Sequence, residues 1–167
     1  AYFNRANILM KKGDLNSALE DYNSAIQYYP NFIDAFNNRG LLKGKLGDLK
    51  GAIEDYSKSI LIDKEYINSY INRTTINLRL GNISGAKNDN DIALELDPNN
   101  VFALNQSASI KNEYRDMNKA IIDLNKAIKL DPKNAVSFLT LGESYYLLEN
   151  YEKAIENYVK AIDFNPE

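Results

Sequence analysis

The chain of 167 residues contains no cysteine and no histidine. Without thiolates there is neither a disulfide framework nor a Cys-based metal site. The same two absences remove the residues that most often form a nucleophile and the base that activates it. Long apolar runs are missing too, and no stretch approaches the roughly 20 residues that a membrane span needs. A net charge of −3, from 20 basic and 23 acidic residues, disfavours nucleic acid, whose binding is dominated by phosphate neutralisation. The eight glycines stand singly and form no phosphate-cradling loop. The expectation is therefore a non-enzyme with no cofactor, no metal, no nucleic-acid partner and no membrane insertion. Asn72, Asn82 and Asn105 begin glycosylation sequons, but an asparagine-rich chain matches that pattern by chance. With no cysteine to oxidise, a reducing, cytoplasmic compartment is expected.

What the chain does have is a period. Ala18, Ala52, Ala86, Ala120 and Ala154 lie 34 residues apart without drift. A second small residue follows each by seven, at Ala25, Ser59, Ala93, Ala127 and Ala161. A bulky one precedes each by sixteen, at Tyr2, Phe36, Tyr70, Leu104 and Phe138. Three units close on Pro30, Pro98 and Pro132, and the last reaches Pro166. Each unit reads as a helix (A), a turn such as Gly13-Asp14 or Gly47-Asp48, a second helix (B) and a stop. Small residues where helices cross closely and a proline that ends the second helix are the pattern of a helical-hairpin array.

This pattern resembles the tetratricopeptide repeat family over the whole chain, in five copies at residues 1–32, 33–66, 67–100, 101–134 and 135–167. The resemblance implies an all-α fold, a right-handed α-solenoid of ten helices in which A helices line a concave groove and B helices form the outer wall. It also implies a non-catalytic scaffold or adaptor that binds protein. Each hairpin in such an array buries its apolar face only against its neighbours, so polar caps are needed at the ends. Ile155, Tyr158 and Ile162 on the last helix have no successor to cover them here. The sequence starts about two residues inside a repeat, so a longer chain, or end-to-end self-association, is expected.

Three features describe the expected groove. The first is a ladder of carboxamides, Asn4, Asn38, Asn72 and Gln106, giving way to Thr140, at a position that faces the concave side in the family. A carboxamide offers a donor and an acceptor, so it can clamp both groups of an extended peptide backbone. The second is charge. Helices A1 to A3 carry Arg5, Lys11, Lys12, Arg39, Lys43, Lys45, Arg73 and Arg79 against one acid, Asp34, whereas their B helices are acidic. Arg5, Arg39 and Arg73 recur with Asp21, Asp55 and Asp89 at a separation of 16, which predicts Arg–Asp bridges between A and B helices. Lys11, Lys45 and Arg79 share one repeat position without such a partner, and are the candidates for an acidic ligand. The third is a more apolar second half, with Phe102, Leu139, Tyr146 and Leu147 facing or bordering the groove and Glu143 nearby.

The carboxylate clamp of repeats that bind the acidic C-terminus of heat-shock chaperones matches only in part. Asn7 and Asn38 stand at its two asparagine positions, but Phe3, Asn68 and Asn72 replace its basic residues. The ladder is more similar to the one lining the repeat arm of O-linked N-acetylglucosamine transferase, at one position per repeat. The expected partner is an extended protein or peptide segment with acidic residues, held by Asn4, Asn7, Lys11, Asn38, Lys45, Asn72, Arg79, Phe102, Gln106 and Leu139. The alternatives are a substrate-recruiting arm of an enzyme, or a module for self-assembly through uncapped ends. Repeat 3 is the expected weak point. There Asn90 stands where repeats 1, 2 and 5 have tyrosine, and a tyrosine at 90 is expected to raise the melting temperature.

Overall fold

A computed structural model describes residues 1–165, so Pro166 lies outside the described residues. The described residues form ten α-helices: α1 (Tyr2–Lys12), α2 (Leu15–Tyr28), α3 (Ile33–Lys45), α4 (Leu49–Ile62), α5 (Ile67–Arg79), α6 (Ile83–Leu96), α7 (Val101–Glu113), α8 (Met117–Leu130), α9 (Ala135–Leu147) and α10 (Tyr151–Phe164). No helix among them is long and apolar enough to cross a membrane. The chain divides into two compact units, Ala1–Asn82 with α1 to α5 and Ile83–Glu167 with α6 to α10. The division falls inside the third repeat.

The turns explain why each helix stops where it does. Gly13 ends α1 at φ 83° and its N–H returns to Met10 O, while Gly47 and Gly81 sit at φ 87° and 70°. A left-handed residue closes a helix because it lets the next N–H groups reach back to the last free carbonyls. Repeats 4 and 5 make the same turn with Arg115 and Glu149, at φ 60° and 58°, where a side chain is strained. The next residue then starts the B helix: Asp14, Asp48 and Asn150 accept from Ser17 N, Gly51 N and Lys153 N at 3.2, 2.9 and 3.2 Å. Between repeats, Asp63, Asp97 and Asp131 accept from the N–H two residues on, at 2.9, 3.0 and 3.4 Å. Repeat 2 has no proline after α4, and this Asx turn reverses the chain there.

Packing follows the period. Ala18, Ala52, Ala86 and Ala120 are fully buried and Ala154 nearly so. Phe36, Tyr70, Leu104 and Phe138 are buried, whereas Tyr2 remains exposed and stacks on Tyr28 at 5.7 Å. In unit 1 the core gathers Ala6, Ala18, Tyr22 and Leu42, then Ala52, Tyr56 and Ile76. Unit 2 gathers Ala108, Ala120, Leu124 and Leu141. Some A–B crossings are close enough to require glycine. A Cβ on Gly40 would stand 2.7 Å from the Tyr56 ring, and one on Gly142 2.5 Å from the Tyr158 ring.

Ion pairs tie A to B helices within a hairpin. Arg5 grips Asp21 through Nε and a terminal nitrogen at 2.6 and 2.7 Å, and Arg39 grips Asp55 in the same way at 2.8 and 2.6 Å. The guanidinium holds the Asp21 carboxyl below its ordinary range. Lys43 adds a second cation to Asp55 at 2.9 Å. Repeat 4 has no arginine, and its Asp123 instead accepts from Ser107 at 2.6 Å and pairs with Lys111, which stands where Lys43 does. Repeat 5 is neutral, with Leu141 and Asn157 at the two positions, and Asn157 donates to Lys153 O in its own helix at 2.8 Å.

Candidate functional site

In unit 1 the A helices α1, α3 and α5 present the predicted carboxamides, and the structure connects several of them. Asn38 Nδ2 donates to Asn7 Oδ1 at 3.0 Å, and Tyr22 OH donates to the same oxygen at 2.5 Å. Asn37 Nδ2 donates to Asn38 Oδ1 at 3.2 Å, and Asn72 Nδ2 donates to Asn37 Oδ1 at 2.9 Å. Ser69, itself bonded to Ser59 Oγ at 2.7 Å, donates to Asn37 Oδ1 at 3.3 Å. A line of amides thus runs from α1 through α3 to α5, so Asn7 and Asn38 are largely committed to holding A helices together. Asn72 uses one N–H in the line and keeps its carbonyl oxygen outside it. Asn4 is exposed and outside the line. Sequence reasoning missed Asn37, which sits beside the ladder position and is buried.

The basic residues divide by partner. Arg5, Arg39 and Lys43 are neutralised by Asp21 and Asp55. Lys11, Lys45 and Arg79 form no ion pair among the described residues, and all three are exposed. Arg79 is steadied by a bond from a terminal nitrogen to Gly44 O at 3.2 Å. Lys45, Asn72 and Arg79 line one cavity of about 170 Å³ between α3 and α5. Thr75 adds a hydroxyl, Leu41, Tyr56 and Ile76 supply apolar wall, and no carboxylate lines it. This volume is below the ~300–1,000 Å³ of small-molecule pockets and suits the end of one side chain. Asn4, Asn7, Lys11 and Asn38 are not among its lining residues.

Unit 2 carries the remaining candidates. Phe102 is exposed, Gln106 half-buried and Leu139 exposed. Leu139 lines a cavity of about 380 Å³ with Val136 and Ile162, and Phe102 and Gln106 do not. Ile155 and Ile162 are 63% and 60% exposed, while Tyr158 is half-buried. A separate cavity of about 510 Å³ lies between α7 and α9, lined by Ser109, Asn112, Glu113, Arg115, Glu143, Tyr146 and Leu147. Desolvation raises the Glu143 carboxyl above its ordinary value. Behind it, Asn112 and Ser144 exchange hydrogen bonds at 2.9 and 3.1 Å, and Asn105 accepts from Ser137 at 2.8 Å. Asn105 is thus buried at a helix contact and offers nothing to a glycan.

Ten helices paired as A–B hairpins among the described residues are the fold of a helical-repeat scaffold for protein–protein interaction. The chain belongs to the tetratricopeptide repeat family. A family model described as TPR repeat matches residues 6–47, and models described as tetratricopeptide repeat match residues 33–66, 103–134 and 135–167. Among solved structures, the chain is similar to YrrB, described as a TPR protein with an unusual peptide-binding site. The identity is 26% over 99% of this chain and 86% of that one, with a TM-score of 0.74. It is also similar to TTC0263, a thermophilic TPR protein of Thermus thermophilus, at 19% identity, 99% and 91% coverage and a TM-score of 0.83. The Cut9–Hcn1 structure of the APC/C matches at 19% identity, covering 99% of this chain and 33% of that one, with a TM-score of 0.91. At 19% identity the last two likenesses are of fold. No curated protein sequence matches.

Proposed function

We propose that this scaffold holds an extended segment of a partner protein on the A helices of unit 1, and that an acidic side chain of the segment enters the cavity between α3 and α5. The observation that carries this reading is the convergence of Lys45, Arg79 and Asn72 on one cavity with no carboxylate among its lining. A carboxylate there gains charge-assisted hydrogen bonds, and the free carbonyl and second N–H of Asn72 remain for peptide backbone. The peptide-binding description of YrrB supports the mode of binding.

The test is fluorescence anisotropy with two labelled peptides that differ only in aspartate against asparagine. The aspartate peptide is expected to bind about tenfold or more tightly at low salt and to lose that margin at high salt. Lys45→Ala/Arg79→Ala, with helicity unchanged, removes the margin. Equal binding of both peptides, or a margin that survives in the variant, refutes the reading. Asn38 is left intact because its loss would loosen α1 from α3.

A second reading is self-association through α10, where Ile155, Val159 and Ile162 are 63%, 50% and 60% exposed. Light scattering that shows a monomer at high concentration excludes it. Salt-insensitive dimers that Ile155→Glu dissolves would support it.

A further inference from the structure

Helices α7 and α9 repeat the register of α3 and α5, yet their cavity has the opposite charge. Glu113 stands 68 residues after Lys45, and Glu143 stands 68 after Thr75. Leu147 takes the position of Arg79, and Ser109 that of Leu41. The cavity these residues line is also larger, about 510 against 170 Å³.

Several acids of unit 2 have a cation beside them, but the two that line this cavity do not. Asp116 has Lys119 at 2.7 Å, Asp123 has Lys111, and Glu156 has Lys160 at 2.6 Å. Neither Glu113 nor Glu143 has a cation within 4.0 Å among the described residues. Arg115, which lines the same cavity, is bridged to neither, and Lys111 on the same helix is committed to Asp123. Both carboxylates reach solvent, but partial desolvation still disfavours the charged form of Glu143, and no cation of the fold stands against it. From α10, Tyr158 is the titratable group that feels this carboxylate, and it is neutral at physiological pH. An arriving cation would supply the missing compensation. Beside the carboxylates, Tyr146 and Leu147 supply apolar wall, which suits the methylene stem of a long basic side chain.

We infer that the cavity between α7 and α9 binds a lysine or arginine side chain of a partner protein, its charge taken by Glu113 and Glu143 and its stem by Tyr146 and Leu147. A resident metal ion fits the donors less well. No group of three or more carboxylate, imidazole or thiolate side chains gathers among the described residues, whereas calcium takes six to eight oxygens. The inference does not rest on the acid-binding reading of unit 1, which concerns another cavity and the opposite charge.

The experiment is an amide-resolved NMR titration of the whole chain at neutral pH and low salt. The probes are N-acetyl-lysine methylamide, its neutral analogue N-acetyl-norleucine methylamide, N-acetyl-aspartate methylamide and magnesium chloride. The lysine probe is expected to shift amides of residues 109–115 and 143–147 in a saturable, salt-sensitive manner, and norleucine to leave them in place. Glu113→Gln/Glu143→Gln, with its dichroism unchanged, should weaken lysine binding by about tenfold or more. Equal shifts from norleucine would mean an apolar cleft only, and would overturn the inference. So would shifts from aspartate, which would make Arg115 dominant, or shifts from magnesium without lysine. Persistence of the lysine shifts in the Gln variant also overturns it. Binding of the aspartate peptide at Lys45 and Arg79 should not change in that variant, so failure of one site is distinguishable from failure of the other.

Discussion

Asp55 offers the sharpest test of how the hairpins are held. Its carboxylate is 3% exposed and faces Arg39 at 2.6 and 2.8 Å and Lys43 at 2.9 Å, and neither base is more than 19% exposed. Asp55→Asn leaves two half-buried cations facing a neutral amide, and breaking a pair whose acid is buried from one side costs up to roughly 3–5 kcal/mol. The fifth repeat shows how to remove the charge altogether. At the three equivalent positions it has Leu141, Tyr145 and Asn157, with Leu141 and Asn157 buried. Transplanting that solution as Arg39→Leu/Lys43→Tyr/Asp55→Asn should recover most of the loss, since replacing a whole buried ion pair by neutral groups is neutral or stabilising by about 1–4 kcal/mol. Urea unfolding followed by far-ultraviolet circular dichroism gives the stabilities, and hydrogen exchange of the α3 and α4 amides locates the change. The reasoning fails if Asp55→Asn costs less than about 1 kcal/mol, the range of exposed pairs. It fails equally if the triple variant is no more stable than the single one.

Three further outcomes are expected. Asn90 is 1% exposed and its Oδ1 has no hydrogen-bond partner among the described residues. Asn90→Leu, which copies Leu124 of the next repeat, should therefore stabilise the chain by about 1–3 kcal/mol in chemical unfolding. Glu149→Gly should raise stability by about 0.5–1 kcal/mol, because Glu149 sits at φ 58° where glycine is unstrained; an unchanged midpoint would mean that the turn carries no strain. Finally, Glu143 is an acid whose folded value is raised above 4.5. Both states are protonated below that value, so Glu143→Gln should leave the melting temperature unchanged in acid. Its advantage over the wild type should grow as pH rises from the ordinary carboxyl value towards the raised folded one and level off above it, and a gap that is constant with pH would refute the assignment.

The period alone was enough for the fold class, because each repeat supplies the same local instructions. A small residue at the crossing and a bulky one opposite recur every 34 residues in all five repeats, and a signal so repeated survives the loss of the turn glycine in the last two. The bridges Arg5–Asp21 and Arg39–Asp55 were legible for the same reason, since a constant separation of 16 spans one hairpin of fixed geometry. Repeat 4 hid its bridge, because Ser107 and Lys111 together replace one arginine and neither resembles it.

The site was less legible. The ladder position was evident from the period, but not that Asn7, Asn37, Asn38 and Asn72 join into a line, which depends on rotamers reaching between neighbouring helices. The single repeat position of Lys11, Lys45 and Arg79 is a basic row that the sequence shows ending at Glu113; that Glu113 shares a cavity with Glu143 emerged from the folded helices. Sequence by itself determined the helices, their turns and the family, because these follow from local preferences and a repeated pattern of burial. Only tertiary structure decided which polar groups are already satisfied by a neighbour and which remain for a partner, because a hydrogen bond or ion pair is settled by distances of a few ångströms between residues far apart in the chain.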